Sequence, residues 1–216
     1  MAQDCCKPIY DGFFDQKVAD KQLRRYLKKG VKRNTRPLVN ALKKLPLQDR
    51  SLLDIGGGVG EIPFELDKKG IDQISHVDLS TAYSNAFFSE VKKRDMTDRV
   101  KRYQGDFVDL HDQLEPADVV TLDKVICCYE DYKHLVDYSS AKAQKWYAYT
   151  VPRDVWWVKA VQQLGVLIQK IRRDPFRPYV HSTQKIEERL QRAGFKKIHQ
   201  SYQLQWMTSV FERKTI

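Results

Sequence analysis

Apolar positions change rhythm along this chain, and the changes predict where elements begin and end. Leu52, Leu53 and Ile55 make a short apolar run suited to a buried strand, which breaks into Gly56, Gly57, Gly58 and Gly60. Glu61-Ile-Pro-Phe-Glu-Leu then reads as the start of a helix. From there, apolar runs alternate with helical patterns. Strands are expected near 52–55, 73–78, 99–104, 118–122 and 146–150, with helices near 60–69, 80–94 and 131–144. Such alternation implies parallel strands joined by right-handed crossovers. A longer helix near 153–172, another near 182–193, and strands near 195–202 and 205–213 complete an α/β chain with an antiparallel pair at its end.

Ahead of this pattern, Asp15 is placed to open a helix that runs to Lys29 and stops at Gly30; a second spans about Arg36 to Leu45 before Pro46. Residues 1–50 thus form a helical cap on a Rossmann-like core of residues 51–216, and all 216 residues are expected to make one domain. At 42% hydrophobic and 31% charged the composition suits a globular chain. No apolar run is long enough to span a bilayer, and the start Met1-Ala-Gln-Asp-Cys lacks a signal peptide's apolar region, so a cytoplasmic location is expected.

The net charge of +10 is concentrated at one end, with 13 Lys and Arg against 5 Asp in residues 1–50. This bias raises nucleic acid, an anionic membrane surface or an acidic substrate as partners. Lys21, Arg24, Arg25, Lys28 and Lys29 recur at helical steps opposite Leu23, Tyr26 and Leu27, as on a solvated helix face. Aromatics are not interleaved with these basic residues as a base-stacking platform requires, so nucleic acid is not favoured. The four cysteines fall in two vicinal pairs, Cys5-Cys6 and Cys127-Cys128, without the C-x-x-C spacing that closes on zinc. Free thiols are expected and no metal, with a soft-metal or redox pairing across the active site as the alternative.

A strand running into a glycine turn and a helix lets backbone approach a ligand closely, since no Cβ intervenes. A dinucleotide fingerprint would need its third glycine at Glu61, which argues against a NAD-dependent oxidoreductase. Counted from the acid, the pattern is Asp54-x-Gly56-x-Gly58-x-Gly60. Ile74-Ser-His-Val-Asp78-Leu79 is a second apolar strand ending in a carboxylate, able to accept hydrogen bonds from both hydroxyls of a ribose. A third strand ends in Gly105-Asp106-Phe107.

These motifs, in this order, resemble those of the class I S-adenosylmethionine (SAM) dependent methyltransferases. The resemblance covers residues 50–150 well and the rest in outline. It implies a seven-stranded, mostly parallel sheet with helices on both faces, and SAM as cofactor. It also implies a cofactor site of Asp54, Gly56, Gly57, Gly58, Gly60, Asp78, Leu79, Asp106, Phe107 and Asp123, with Asp106 beside the adenine amino group and Phe107 against the ring. Asp54 either orders the glycine turn or reaches the methionine amine through water. After residue 145 the chain is diffusely similar to small-molecule O-methyltransferases such as the magnesium-protoporphyrin enzymes.

The fourth strand delivers Asp123-Lys-Val-Ile-Cys-Cys-Tyr129 to the same sheet edge. No Asn/Asp-Pro-Pro-Tyr/Phe motif occurs, which disfavours methylation of planar nitrogens in bases. No Pro-Cys pair marks a cysteine that attacks a pyrimidine. The expected activity is methylation of a small, anionic or aromatic acceptor, at oxygen in preference to sulfur or nitrogen. An RNA methyltransferase docking through its basic end and a non-catalytic SAM-binding module are the rivals. If the acceptor must lose a proton, Tyr129 and His181 are the leading catalytic candidates, with Asp123 and His134 behind them. Trp157, Val161, Leu164, Ile168 and Ile171 recur at helical steps, as in core packing. Alternatively Trp156 and Trp157 wall an apolar acceptor pocket, with Arg172, Arg173 and Arg177 for a carboxylate. A membrane-surface helix is disfavoured because Gln162, Gln163 and Gln169 dilute its apolar face.

Overall fold

The computed structural model describes residues 15–171 and 177–214. Helix α1 (Gln16–Lys29) opens where Asp15 accepts the backbone N–H of Val18 at 2.8 Å, and closes at Gly30, which takes φ 70°. Helix α2 (Arg36–Leu42) stops short of Leu45. There the chain tightens into turns in which Lys44 and Leu45 donate three residues back, ahead of Pro46. The alternating part follows as β1 (Arg50–Ile55), α3 (Glu61–Asp67), β2 (Ile71–Asp78), α4 (Thr81–Lys93), β3 (Val100–Gln104), α5 (Phe107–Leu110), β4 (Ala117–Asp123), α6 (Tyr132–Lys142) and β5 (Ala143–Pro152). Helices α7 (Trp156–Ile171) and α8 (Thr183–Arg192) and strands β6 (Phe195–Tyr202) and β7 (Trp206–Arg213) complete it.

The seven strands form one sheet in the order β3-β2-β1-β4-β5-β7-β6. Neighbours from β3 to β5 pair in parallel, while β7 runs antiparallel to both β5 and β6. The chain moves outward from β1 to β3 and then returns to place β4 on the other side of β1. The switch point therefore lies between β1 and β4, where ligands settle in such sheets.

Side-chain alternation divides the core between the two faces. Leu52, Ile74 and Val119 face one side, where they join Leu23 and Tyr26 of α1, Leu38 and Leu42 of α2, Phe64 of α3 and Phe87 of α4. Leu53, Ile55, Val77 and Val120 face the other side, with Leu135, Tyr147, Tyr149, Ile186 and Phe195. The cap is thus packed into the same core as the sheet.

Helix α7 departs from expectation. Its apolar stripe is not core packing: Val161 and Leu164 are each 59% exposed and Ile168 is exposed too, while Val158 is the buried residue. Periodicity identified an apolar face but not the direction in which it points. The side chain of Ile171 and the whole of Arg172 and Arg173 lie outside the described residues, as do Cys5 and Cys6.

Leu38 has no exposed surface, so Leu38→Ala should cost about 2–5 kcal/mol. Urea unfolding followed by tryptophan fluorescence and by far-UV circular dichroism should show coincident, shifted single transitions. Two separate transitions would mean that the cap unfolds on its own.

Candidate active site

The carboxyl ends of β1, β2, β3 and β4 converge on a cavity of about 510 Å³, within the range of small-molecule sites. Its walls include Asp54, Gly56, Gly57, Gly58, Asp78, Leu79, Asp106, Phe107, Asp123 and Tyr129, and the cap closes it with Gln22, Lys32 and Thr35. Two residues expected in the site are not in the wall. Gly60 has φ 83° and forms the N-terminal cap of α3; a Cβ there would fall 2.3 Å from the Phe87 ring. His181 lies behind the wall, and its Nε2–H donates to the carbonyl of Tyr129 at 2.8 Å. Half-buried between Tyr132 and Tyr179, its imidazole is pushed toward the neutral form by desolvation. His181, expected as a catalytic candidate, thus meets the cavity through Tyr129, which does line it. His134 sits on the surface, 2.9 Å from Asp131.

The glycine turn is shaped by two carboxylates from neighbouring strands. Asp78 accepts Gly58 N–H on Oδ2 and Ser80 N–H on Oδ1, each at 2.8 Å. One lone pair on each oxygen remains for a ligand hydroxyl. Burial raises its carboxyl to about 6, and the two backbone donors oppose that. Asp54 is held instead by Thr121, whose hydroxyl donates to Oδ1 at 2.6 Å. The carboxylate that orders the turn is therefore Asp78 and not Asp54. Asp54 Oδ2 is buried and has no hydrogen-bond partner among the described residues. Burial, reinforced by the charges of Asp123 and Asp78, lifts Asp54 to about 8, although the Thr121 bond lowers it.

Gly57 is required for space. A Cβ there would lie 2.4 Å from Asp54 Oδ2 and 2.6 Å from the His76 ring. His76 is opposite Asp54 in the parallel register, on the face beneath the turn. It stacks on Phe87 at 3.9 Å, and its Nε2–H donates to the Gly58 carbonyl at 3.1 Å. Complete burial holds it neutral, at about 4. Its place two residues before Asp78 is the period-two signal that could have identified it.

Asp106 caps α5 by accepting Val108 N–H, and on the same Oδ1 it accepts the Tyr129 hydroxyl at 2.7 Å. The Tyr129 proton is thereby directed at Asp106, so Tyr129 shapes the wall beside Phe107. Asp123 Oδ2 receives the Thr35 hydroxyl at 2.7 Å and the Lys124 ammonium, which also donates to Thr35 at 2.8 Å. Asp123 Oδ1 is buried without a partner among the described residues. Lys124 takes φ 65° and lies 5.9 Å from the Trp206 ring. Neither Lys124 nor Trp206 stood out in the sequence, because a backbone bend and the approach of a distant hairpin leave no local pattern. Trp156 and Trp157 do not line this cavity, and Trp156 is 81% exposed. Arg177, Tyr179, Cys127 and Cys128 do line it, both thiols resting against the Lys124 carbonyl at 3.3 and 3.5 Å.

No protein-family model and no curated protein sequence matches this chain. Solved structures do match. Magnesium protoporphyrin IX methyltransferase from Synechocystis PCC 6803, with bound S-adenosylhomocysteine, superposes with a TM-score of 0.74 at 16% identity, over 96% of this chain and 100% of that one. An O-methyltransferase family protein from Burkholderia thailandensis gives 0.70 at 15% identity, over 93% of this chain and 61% of that one. Human N-acetylserotonin methyltransferase in complex with SAM gives 0.65 at 16%, over 100% and 61% respectively. The fold is that of the class I SAM-dependent methyltransferases.

Gly57→Ala should destabilise the protein by about 1–3 kcal/mol although the backbone there is unstrained, because the added methyl overfills the turn. An unchanged urea midpoint would refute the close approach of Asp54 and His76.

Proposed function

We propose that this protein is a methyltransferase that binds SAM at the turn after β1 and methylates a small acceptor, at oxygen. One observation carries the reading. Asp54, Asp78 and Asp106, from three adjacent strand ends, meet around a glycine turn in a single cavity, and one of them keeps a buried, unpartnered oxygen. SAM brings an ammonium, a sulfonium, a ribose and an adenine, and the donor set suits each. The unpartnered Asp54 Oδ2 supports pairing with the ammonium, directly or through water. Asp78 has lone pairs left for the ribose hydroxyls, while Phe107 and Leu79 offer apolar surface to the ring.

When bound, SAM supplies a methyl group on a leaving group that is already cationic, so alignment and exclusion of water matter most. The cap provides both. Lys32 N–H binds the buried Glu61 at 2.8 Å, and Thr35 binds Asp123, which fixes the lid over the cavity. An acceptor held among Lys124, Arg177, Tyr179 and Trp206 has cations for an acidic group and rings for a flat one. If its hydroxyl must lose a proton, Asp123 Oδ1 is the free oxygen that can take it.

Calorimetric titration with S-adenosylhomocysteine should show micromolar binding, and NAD none. Asp78→Ala should weaken that binding by about 1–3 kcal/mol, roughly five- to 150-fold. Unchanged affinity would mean that the cofactor lies elsewhere. Binding without methyl transfer to any acceptor in an extract would indicate a binding module in place of an enzyme.

The raised carboxyl of Asp54 sets the pH dependence. At about 8 it is mostly protonated at pH 6, and a cationic ligand favours its ionised form. Binding near neutral pH should therefore release a proton. Affinity should rise as pH increases from 6 to about 8 and then level off. Titrations in buffers of different ionisation enthalpy should show that release, and Asp54→Asn should abolish it.

A further inference from the structure

Helix α7 is turned inside out for a soluble protein. Toward the body it presents Val158, the half-buried Trp157 and Val166, Gly165 and two amides, Gln162 and Gln169, of which Gln162 donates to the Pro178 carbonyl. Toward solvent it presents Trp156 (81% exposed), Val161, Leu164, Leu167 and Ile168. A Cβ on Gly165 would meet nothing within 4 Å among the described residues, so the helix is not closely packed at that point. The glutamines that would dilute an apolar face are thus largely on the inner side, with Gln163 alone among them exposed.

This face continues onto the β6–β7 turn. Arg153, three residues before α7, donates to the carbonyl of Leu204 at 3.2 Å, and its guanidinium lies 5.2 Å from the Tyr202 ring. Leu204 is 80% exposed, and Tyr202 is exposed as well. The next residue along, Gln203, donates to the carbonyl of Arg33 at 2.8 Å. There the surface becomes basic. A groove of about 350 Å³ is lined by Arg33, Arg36, Lys44 and His199 and, among the described residues, by no carboxylate. Arg33, Arg36 and Lys44 have no acidic partner within ion-pair distance among the described residues. One edge of the molecule therefore carries unpaired cations, then exposed aromatic and aliphatic side chains, then an exposed amphipathic helix that contains no acid.

We propose that this edge docks on an anionic phospholipid surface, with α7 and the β6–β7 turn seated at the headgroup boundary and the Arg33–Arg36 groove on lipid phosphates. Charge selects this occupant. A protein core or a second copy would cover the apolar helix but would leave the adjoining cations without counterions, whereas an anionic bilayer satisfies both. No helix among the described residues is long and apolar enough to cross a membrane, so α7 lies on the surface. Through Gln162 and Pro178, which lines the cavity, the docked helix adjoins the cavity wall, a location suited to an acceptor that reaches the site from the lipid phase.

The test is flotation of the full chain with large unilamellar vesicles of phosphatidylcholine, with and without 30% phosphatidylglycerol, at low and high salt. Binding is expected to the anionic vesicles alone and to weaken with salt. The combined change Trp156→Ser, Leu164→Ser and Leu167→Ser should reduce partitioning at least tenfold. Arg33→Glu with Arg36→Glu should reduce it by roughly fivefold for each charge lost. Far-UV circular dichroism and thermal midpoint, unchanged in both variants, would show that the fold survives. Failure to float with anionic vesicles at low salt would overturn the proposal. So would a concentration-dependent dimer, in sedimentation velocity, that the serine variant converts to monomer and that does not bind lipid.

Discussion

Two buried carboxylates at adjacent strand ends hold the centre of this protein in place. Asp78 ties the turn after β1 to the turn after β2 by taking one backbone N–H from each. Asp54, one strand over, has Thr121 on one oxygen and, among the described residues, no hydrogen-bond partner on the other. Burying two carboxyl groups in a dry interior disfavours their charged forms, as their upward displacement shows. The proposed cationic ligand would offset that cost. The same arrangement requires glycine at 57, since Asp54 and His76 already fill the volume that a side chain there would need.

From that centre the rest of the site follows by support at a distance. His76 is a neutral, stacked platform under the turn, bonded to the Gly58 carbonyl. His181 holds the carbonyl of Tyr129, and Tyr129 in turn holds Asp106. Both histidines therefore act through the backbone and side chains that they fix. The cap joins in at Glu61 and at Asp123, so the two helices that precede the sheet in sequence close its open edge in space. Electrostatics differ across the cavity, with acids gathered at the glycine turn and Lys124 and Arg177 in the wall where an acceptor is proposed.

The outer surface has a different logic. Exposed apolar residues scattered singly need no account, but a helix that turns Trp156, Val161, Leu164, Leu167 and Ile168 outward, beside a basic groove with no acid among the described residues that line it, is a contiguous feature. It adjoins the cavity through Gln162, which donates to the carbonyl of Pro178 in the wall.

By itself the sequence determined the order of the strands and longer helices and the glycine turn with its three acids, because these depend on local periodicity, turn chemistry and spacing; the four-residue α5 is too short to show a period. Helix ends at Asp15 and Gly30 were legible for the same reason, as was the placement of Asp54, Asp78 and Asp106 at strand ends. Tertiary structure decided the rest. It gave the hydrogen bond that orders the turn to Asp78, set His181 behind the wall, and put Trp206 in the cavity, with neither Trp156 nor Trp157, the alternative wall, among its lining residues. It also pointed the stripe of α7 outward. A repeat of apolar residues states that one face of a helix differs from the other, but which face meets the protein depends on the neighbours across the fold. The positive φ of Lys124 and the contact of Thr35 with Asp123 likewise arise from chain segments that meet only after folding.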